Sequence, residues 1–300
     1  MFEHHLHLNP VGFHSITEEL DPKILPNVIK KEYGPAAGGF DPAHAAQIAY
    51  YMRRFVEIAK RIGFPAVESI GHVISKNGHD GKVNLVEFVP YAGPNLLEVI
   101  GDQTVNNDFS GATKSFREYL GLIGGVWAAG HDISPDPPLT NFCKNKKGKI
   151  SYVDLMPPRQ RLPDGKYIAE WPTPHPEDFK FTVDRYFTPA GQTKVIYAQS
   201  LRALLPLGFD IDTIRQTMVT TLGSEAEQNV VIGQQERQRL LYNHLPTDVD
   251  HLRALAAEAY GTKQIDKETF EKVYKLCHIG IGSILPKIED VRAASALLRN

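Results

Sequence analysis

The feature that most constrains the fold of this chain is a change of hydrophobic period. Up to about residue 90 the sequence reads mainly as strands: "HHLHL" alternates, "HSITEEL" follows a turn at "NPVG", and "NVIKKEY" follows another at "DPK". One segment breaks the pattern. In "DPAHAAQIAYYMRRFVEIAKRIG" the apolar residues Ile48, Met52, Phe55, Ala59 and Ile62 keep helical spacing, with Asp41 as N-cap, Pro42 at the first position and Gly63 closing the segment. Two more strands follow, "ESIGHVIS" and "KVNLVEFV", joined by a Gly- and Asn-containing turn. Beyond "PYAGPN" the period is helical, first in "NLLEVI", then in the long "DFSGATKSFREYLGLIGGVWAAG". From about residue 190, "TKVIYAQSLRALL", "DIDTIRQTMVTTL", "QQERQRLLYNHL", "VDHLRALAAEAY", "KETFEKVYKLC" and "KIEDVRAASALL" are amphipathic helices. Residues 157–182, rich in proline and polar groups, read as an exposed loop excursion. The expected class is α+β, with a small β-rich unit over residues 1–90 carrying one main helix, and a larger, mainly helical unit over residues 91–300.

Three hundred residues can bury a substantial core. The formal net charge is −2 and both signs are scattered, so neither a basic stripe for nucleic acid nor a polybasic membrane anchor is expected. Cys143 and Cys277 are the only cysteines, which argues against a disulfide framework or a structural zinc site and for a reducing compartment. "MFEHHLHLNP" lacks the apolar stretch of a signal peptide, and no run approaches the ~18 apolar residues of a membrane span, so a soluble, cytoplasmic protein is expected.

The chemistry concentrates in "DPPLTNFCKNKKGKISYVDLMPPR". Phosphoryl transfer needs a carboxylate to orient the attacking hydroxyl and accept its proton, and oxygen ligands for magnesium. An Asp-x-x-x-x-Asn loop brings both kinds of side chain to one mouth, and a hairpin returns a second aspartate to it. Asp136, Asn141 and Asp154 have that arrangement, with the turn "KNKKGK" between the last two.

On these residues the chain resembles the protein-kinase-like fold, in its aminoglycoside phosphotransferase and small-molecule kinase branch. The resemblance implies Asp136 as catalytic base, Asn141 and Asp154 as magnesium ligands, and a bilobal architecture using ATP and Mg2+. It further implies a strand lysine for the ATP phosphates, steadied by a carboxylate on the next helix. Lys30 and Glu57 are the expected pair, with Lys31 the competing lysine. "LVEFVPYAGPNLLEV" is similar to the family's hinge, so adenine is expected at backbone groups near Glu87, Phe88 and Val89. Ser15 is the candidate phosphate contact in "NPVGFHS", which carries a single glycine, Gly12, where the family has a glycine-rich loop. Ser134 stands where the family has a histidine two residues before the base, His131-Asp132 lies just upstream with Asp132 as alternative base, and "DLM" replaces DFG.

The expected activity is ATP- and magnesium-dependent phosphorylation of a small-molecule hydroxyl. The rivals are a kinase-fold nucleotide-binding protein without turnover, and an enzyme that transfers AMP. Glu177, Asp178, Asp184, Asp210 and Asp212 would suit a cationic acceptor or, more simply, solvated helix ends. His4, His5, His7 and His14 read as a polar strand end rather than zinc ligands, His175 stands alone, and Phe116 and Trp127 read as core.

Overall fold

The computed structural model describes residues 15–19, 27–34, 39–76, 81–169, 176–230, 234–277 and 285–299, the side chains of 15–19, 176 and 177 excepted. A four-stranded antiparallel sheet comes first, in the order β1-β2-β4-β3: β1 (Ser15–Glu19), β2 (Val28–Tyr33), β3 (Gly71–Lys76) and β4 (Val83–Pro90). Helix α1 (Pro42–Arg61) enters between β2 and β3. Four members of its expected stripe, Ile48, Met52, Phe55 and Ala59, are buried, while the fifth, Ile62, is half-buried at the C-cap. Asp41 stands at the N-cap without a side-chain cap bond and is paired instead with Lys82 at 2.8 Å. The expected "HHLHL" strand lies outside the described residues.

Strand alternation sorts the sheet into two faces. Lys31 pairs with Glu87 and Tyr33 with Leu85, so these four share one face, while Lys30, opposite Phe88, and Glu32, opposite Val86, point the other way. The first face is the one α1 covers. Tyr33 and Leu85 are wholly buried there and join Ile48, Met52 and Phe55 in one apolar cluster.

The helical part begins with α2 (Leu96–Val105), started by a capping box in which Asn95 and Glu98 satisfy each other's backbone N–H. Next come α3 (Phe109–Ala128), the hairpin β5 (Phe142–Lys144) with β6 (Ile150–Tyr152), and the hairpin β7 (Gln160–Arg161) with β8 (Tyr167–Ile168). Helices α4 (Pro176–Phe187), α5 (Pro189–Leu204), α6 (Ile211–Leu222), α7 (Ser224–Val230) and α8 (Gln234–Asn243) follow. Helices α9 (Val249–Gly261), α10 (Lys267–Leu276) and α11 (Ile288–Leu297) complete the chain. The chain is therefore α+β, with small sheets and a mostly helical remainder.

Residues 157–182 are an exposed excursion only at the tip of one hairpin, where Arg161 and Pro163 to Lys166 are exposed; much of the rest of the described segment is covered. Leu155 to Gln160 are buried, β7 and β8 form a hairpin, and α4 has begun by Pro176. Proline-rich, polar composition misleads here because the partners that bury this segment come from elsewhere in the chain. Phe116 is core as expected, whereas Trp127 is half-buried and donates its indole N–H to Gln192 at 2.6 Å.

The border near residue 90 marks a change of architecture, yet a single apolar cluster runs from Tyr33 to Leu298. Tyr152 is the joint. Its ring lies 5.9 Å from Phe55 of α1, 5.7 Å from Phe64 and 5.1 Å from Phe142, and its backbone bonds to Pro65 and Val67 at 2.8 Å each. Among the described residues no helix is long and apolar enough to cross a membrane.

Candidate active site

The loop after α3 is held from below. Tyr119 of α3 donates its hydroxyl to the Pro137 carbonyl at 2.5 Å, and the Asp136 N–H donates to the Tyr152 hydroxyl at 2.9 Å. Both phenols are fully buried, and burial pushes their pKa values well above the ordinary tyrosine range. They act as fixed hydrogen-bonding posts rather than acids. A 3-10 turn, Leu139–Asn141, then swings the asparagine back, and its Nδ2 donates to Asp136 Oδ2 at 3.1 Å. The sequence interval of five residues is thus closed in space. With the amide nitrogen spent on Asp136, the Asn141 side-chain oxygen is the atom left to face a cation.

The hairpin turns as its sequence dictates. The Asn145 carboxamide oxygen accepts from the N–H groups of Lys147 and Lys149 at 2.9 and 3.0 Å, and Gly148 supplies the left-handed residue at φ +80°. The hairpin is anchored on α3 by Lys144, which pairs with Glu118 at 2.7 Å. The strand then delivers Asp154, whose Oδ1 accepts from the Met156 N–H at 3.4 Å. Both Asp136 and Asp154 bear electrostatically on the Tyr152 hydroxyl, and Asp154 also bears on Tyr33 of the sheet.

The lysine that meets this hairpin is Lys31, not the expected Lys30. Lys31 is buried on the α1 face, and its ammonium donates to the Val153 carbonyl at 2.5 Å, one residue before Asp154. Lys30 points to the opposite face and pairs with Glu32 at 3.2 Å. The expected acid also lies elsewhere: Glu57 is exposed on α1 and lines a groove of ≈ 420 Å³ with Arg53, Lys60, Glu68 and His72. Its angular position opposite the apolar stripe sends it to solvent. The buried carboxylate on the lysine's face is Glu87, which accepts from Tyr33 at 2.7 Å and from Ser69.

Glu87 thereby departs from its expected use in the hinge. Glu87 and Phe88 lie between β2 and β3 and Val89 pairs with Ile29, so this backbone belongs to the sheet ladder. The chain leaves the ladder after Tyr91, whose N–H reaches the Asn27 carbonyl at 2.7 Å. Gly93, at φ +111°, then passes so near β5 that a Cβ would stand 2.5 Å from the Lys144 carbonyl oxygen. Only glycine fits there.

Asp132, the alternative base, pairs with Arg61 at 3.4 Å. The backbone of Ser15 lies opposite Tyr33, and its side chain, like Gly12, the four N-terminal histidines, His175 and the Glu177 side chain, falls outside the described residues. Asp178 is buried rather than solvated, Asp184 and Asp212 are exposed, and Asp210 caps α6 by accepting from the Thr213 N–H at 2.7 Å.

Arg159 carries no mark of a role in the sequence. It is 3% exposed, and its Nη1 donates to Asp136 Oδ1 at 2.8 Å. Nothing local marks it, because it sits in a stretch that reads as loop. Lys31 did have a signal: Tyr33, two residues on, is an aromatic on the same strand face.

Asp136, Asn141 and Asp154 present hard oxygen donors only, a set that suits magnesium better than zinc or copper. Among the described residues no group of three His, Cys, Asp or Glu side chains converges as a metal site. Comparison of the sequence with protein-family models and with curated proteins found no match.

Proposed function

We propose that the chain is a bilobal, kinase-like phosphotransferase that uses magnesium-ATP to phosphorylate a hydroxyl of a small molecule. The observation that carries this reading is the meeting of Asp136 and Asn141 at 3.1 Å, beside a hairpin whose last residue before Asp154 is held by Lys31. The α+β order, a sheet with one inserted helix followed by a helical body, supports it.

In this reading Asn141 and Asp154 hold magnesium, which when bound neutralises charge across the phosphates. Lys31, in place of Lys30, contacts a phosphate oxygen. The backbone at Ala92 and Gly93, the first groups past the ladder, faces adenine in place of Glu87, Phe88 and Val89. Asp136 orients the acceptor hydroxyl and takes its proton as the acceptor oxygen bonds to phosphorus. The phosphorus–oxygen bond to ADP breaks, and ADP carries away that electron pair.

A second reading, a nucleotide-binding protein without turnover, is favoured by one observation. Both oxygens of Asp136 are already engaged, by Arg159 and by Asn141. Thermal melting with ATP, with and without magnesium, tests the shared part of both readings. The expected result is a magnesium-dependent rise that Asp154→Ala abolishes while leaving the unliganded melting transition cooperative. Indifference to magnesium and to that substitution would overturn the site. Assays of ADP and pyrophosphate over a panel of hydroxyl compounds then separate the rest. ADP supports phosphoryl transfer, pyrophosphate supports AMP transfer, and neither product despite ATP binding supports the binding protein.

A further inference from the structure

The segment after Asp154 carries an arginine that is built into the molecule more firmly than the aspartate it touches. Arg159 is 3% exposed, and its guanidinium lies 3.7 Å over the ring of Tyr186 from α4. Nε donates to the Ala169 carbonyl at 2.9 Å, Nη1 donates to Asp136 Oδ1 at 2.8 Å, and the Arg159 carbonyl accepts from the Ser134 N–H at 3.0 Å. The next residue, Gln160, is fully buried and reaches α1, donating Nε2 to the Tyr51 carbonyl at 2.8 Å. Ile133 and Gln160 also form a backbone bridge. The guanidinium plane is therefore fixed by a ring face, a carbonyl and its own backbone before it meets the carboxylate.

We propose that Arg159 is a positioning residue for Asp136: it holds the carboxylate at one fixed angle at the mouth of the site and, through Gln160, ties that angle to helix α1. This rests on the reading of Asp136 as the base. The physical reason is the planar fork. A guanidinium locked by stacking offers its N–H along a set direction, whereas an ammonium offers a point charge without one. A base that must meet a hydroxyl within hydrogen-bond reach gains from such a fixed direction, because a displacement of about 1 Å costs on the order of 10²-fold in rate.

The test uses the full chain with magnesium-ATP and water as acceptor, reading ADP formation, together with thermal melting. Arg159→Met is expected to lower kcat by about 10²-fold while KM for ATP stays within about twofold. Arg159→Lys, which keeps charge but loses the plane and the fork, is expected to recover folding fully and kcat only in part. It also serves as the working variant if Arg159→Met does not fold. In the Asp136→Asn background, replacing Arg159 is expected to cost no further kcat, since it acts only through that carboxylate. A loss of kcat that multiplies on top of Asp136→Asn, or one that appears as raised KM, overturns the proposal. The melting arm keeps two failures apart. Non-additive melting shifts for the Asp136 and Arg159 variants without any ADP formation overturn the functional reading, and with it a role for Arg159 in catalysis. Additive melting shifts overturn the coupling itself.

Discussion

Two adjacent lysines on one strand face opposite sides of a sheet, so one position decides which of them would meet a nucleotide in the proposed function. Lys31 is buried against the hairpin and Lys30 pairs with Glu32 on the far face. Lys31→Met, which keeps the apolar stem and removes the charge, is expected to abolish the magnesium-dependent rise in melting temperature given by ATP. Lys30→Met should leave that rise intact, and the opposite pattern would reverse the assignment. At Asp136 the expectation concerns rate instead of affinity. A base that orients a hydroxyl touches ATP little, so Asp136→Asn should leave nucleotide affinity nearly unchanged and slow turnover by about 10²- to 10⁴-fold. Asp132→Asn, which removes only a partner of Arg61, should be mild. The Asp136–Asn141 contact was legible because a five-residue loop brings its own ends together. The choice of lysine face was barely legible, since a one-residue change of phase inverts it. Arg159 was not legible, because its partners Asp136, Ala169 and Tyr186 are assembled only by the tertiary fold.

The same contrast appears among whole elements. Helices α1, α5, α6 and α8 to α11 carry their apolar periods in the sequence, and so does the hairpin with its "KNKKGK" turn, whereas the short α7, "SEAEQNV", carries none. Helix α4 is different. It follows a proline-rich stretch, and its place depends on charged groups whose partners lie far along the chain. Arg185 of α4 donates Nε and Nη2 to the two carboxylate oxygens of Asp250 on α9, at 2.7 and 2.9 Å, and both residues are buried. Burial alone would raise the Asp250 carboxyl, but Arg185 and Arg253 outweigh it and hold it below the usual range. Removing one member of such a pair leaves a buried charge uncompensated. Asp250→Ala is therefore expected to cost about 3–5 kcal/mol of unfolding free energy in urea. Replacing Arg185 and Asp250 together by leucine should recover much of that loss, because the attraction within a buried pair only roughly offsets desolvation. A cost for Asp250→Ala below about 1 kcal/mol, the scale of an exposed pair, would show that the two helices are not joined through this pair.

On the scale of the whole molecule, the continuous core puts histidines where they cannot easily be charged. His131 sits between α3 and the candidate catalytic loop, flanked by the rings of Trp127 and Phe187, and burial pushes its pKa down to about 4. Burial likewise lowers His72, against the opposing pull of Glu87, and lowers His251, where Lys194 adds to it and Asp248 and Glu236 oppose it. In the unfolded chain these imidazoles titrate near about 6.5. Below that pH the unfolded state binds protons that the folded state refuses, so stability falls as pH drops from about 6.5 toward about 4. For His131 the gap corresponds to at most about 3.5 kcal/mol, taking about 1.4 kcal/mol per pKa unit. The carboxylates held low by partners, Asp250 among them, protonate in the unfolded state only near about 4, and their contribution is lost below that. The two windows are separable. Urea midpoints measured from pH 7 downward should decline before pH 4.5 is reached, and His131→Asn should flatten that decline, asparagine being suited to the φ of +59° at this position. A wild-type curve that stays level until about pH 4 would mean that the core takes up these protons without penalty. His131 would then be solvated enough to titrate normally, and the loop it supports would be looser than its contacts with Trp127 and Phe187 require.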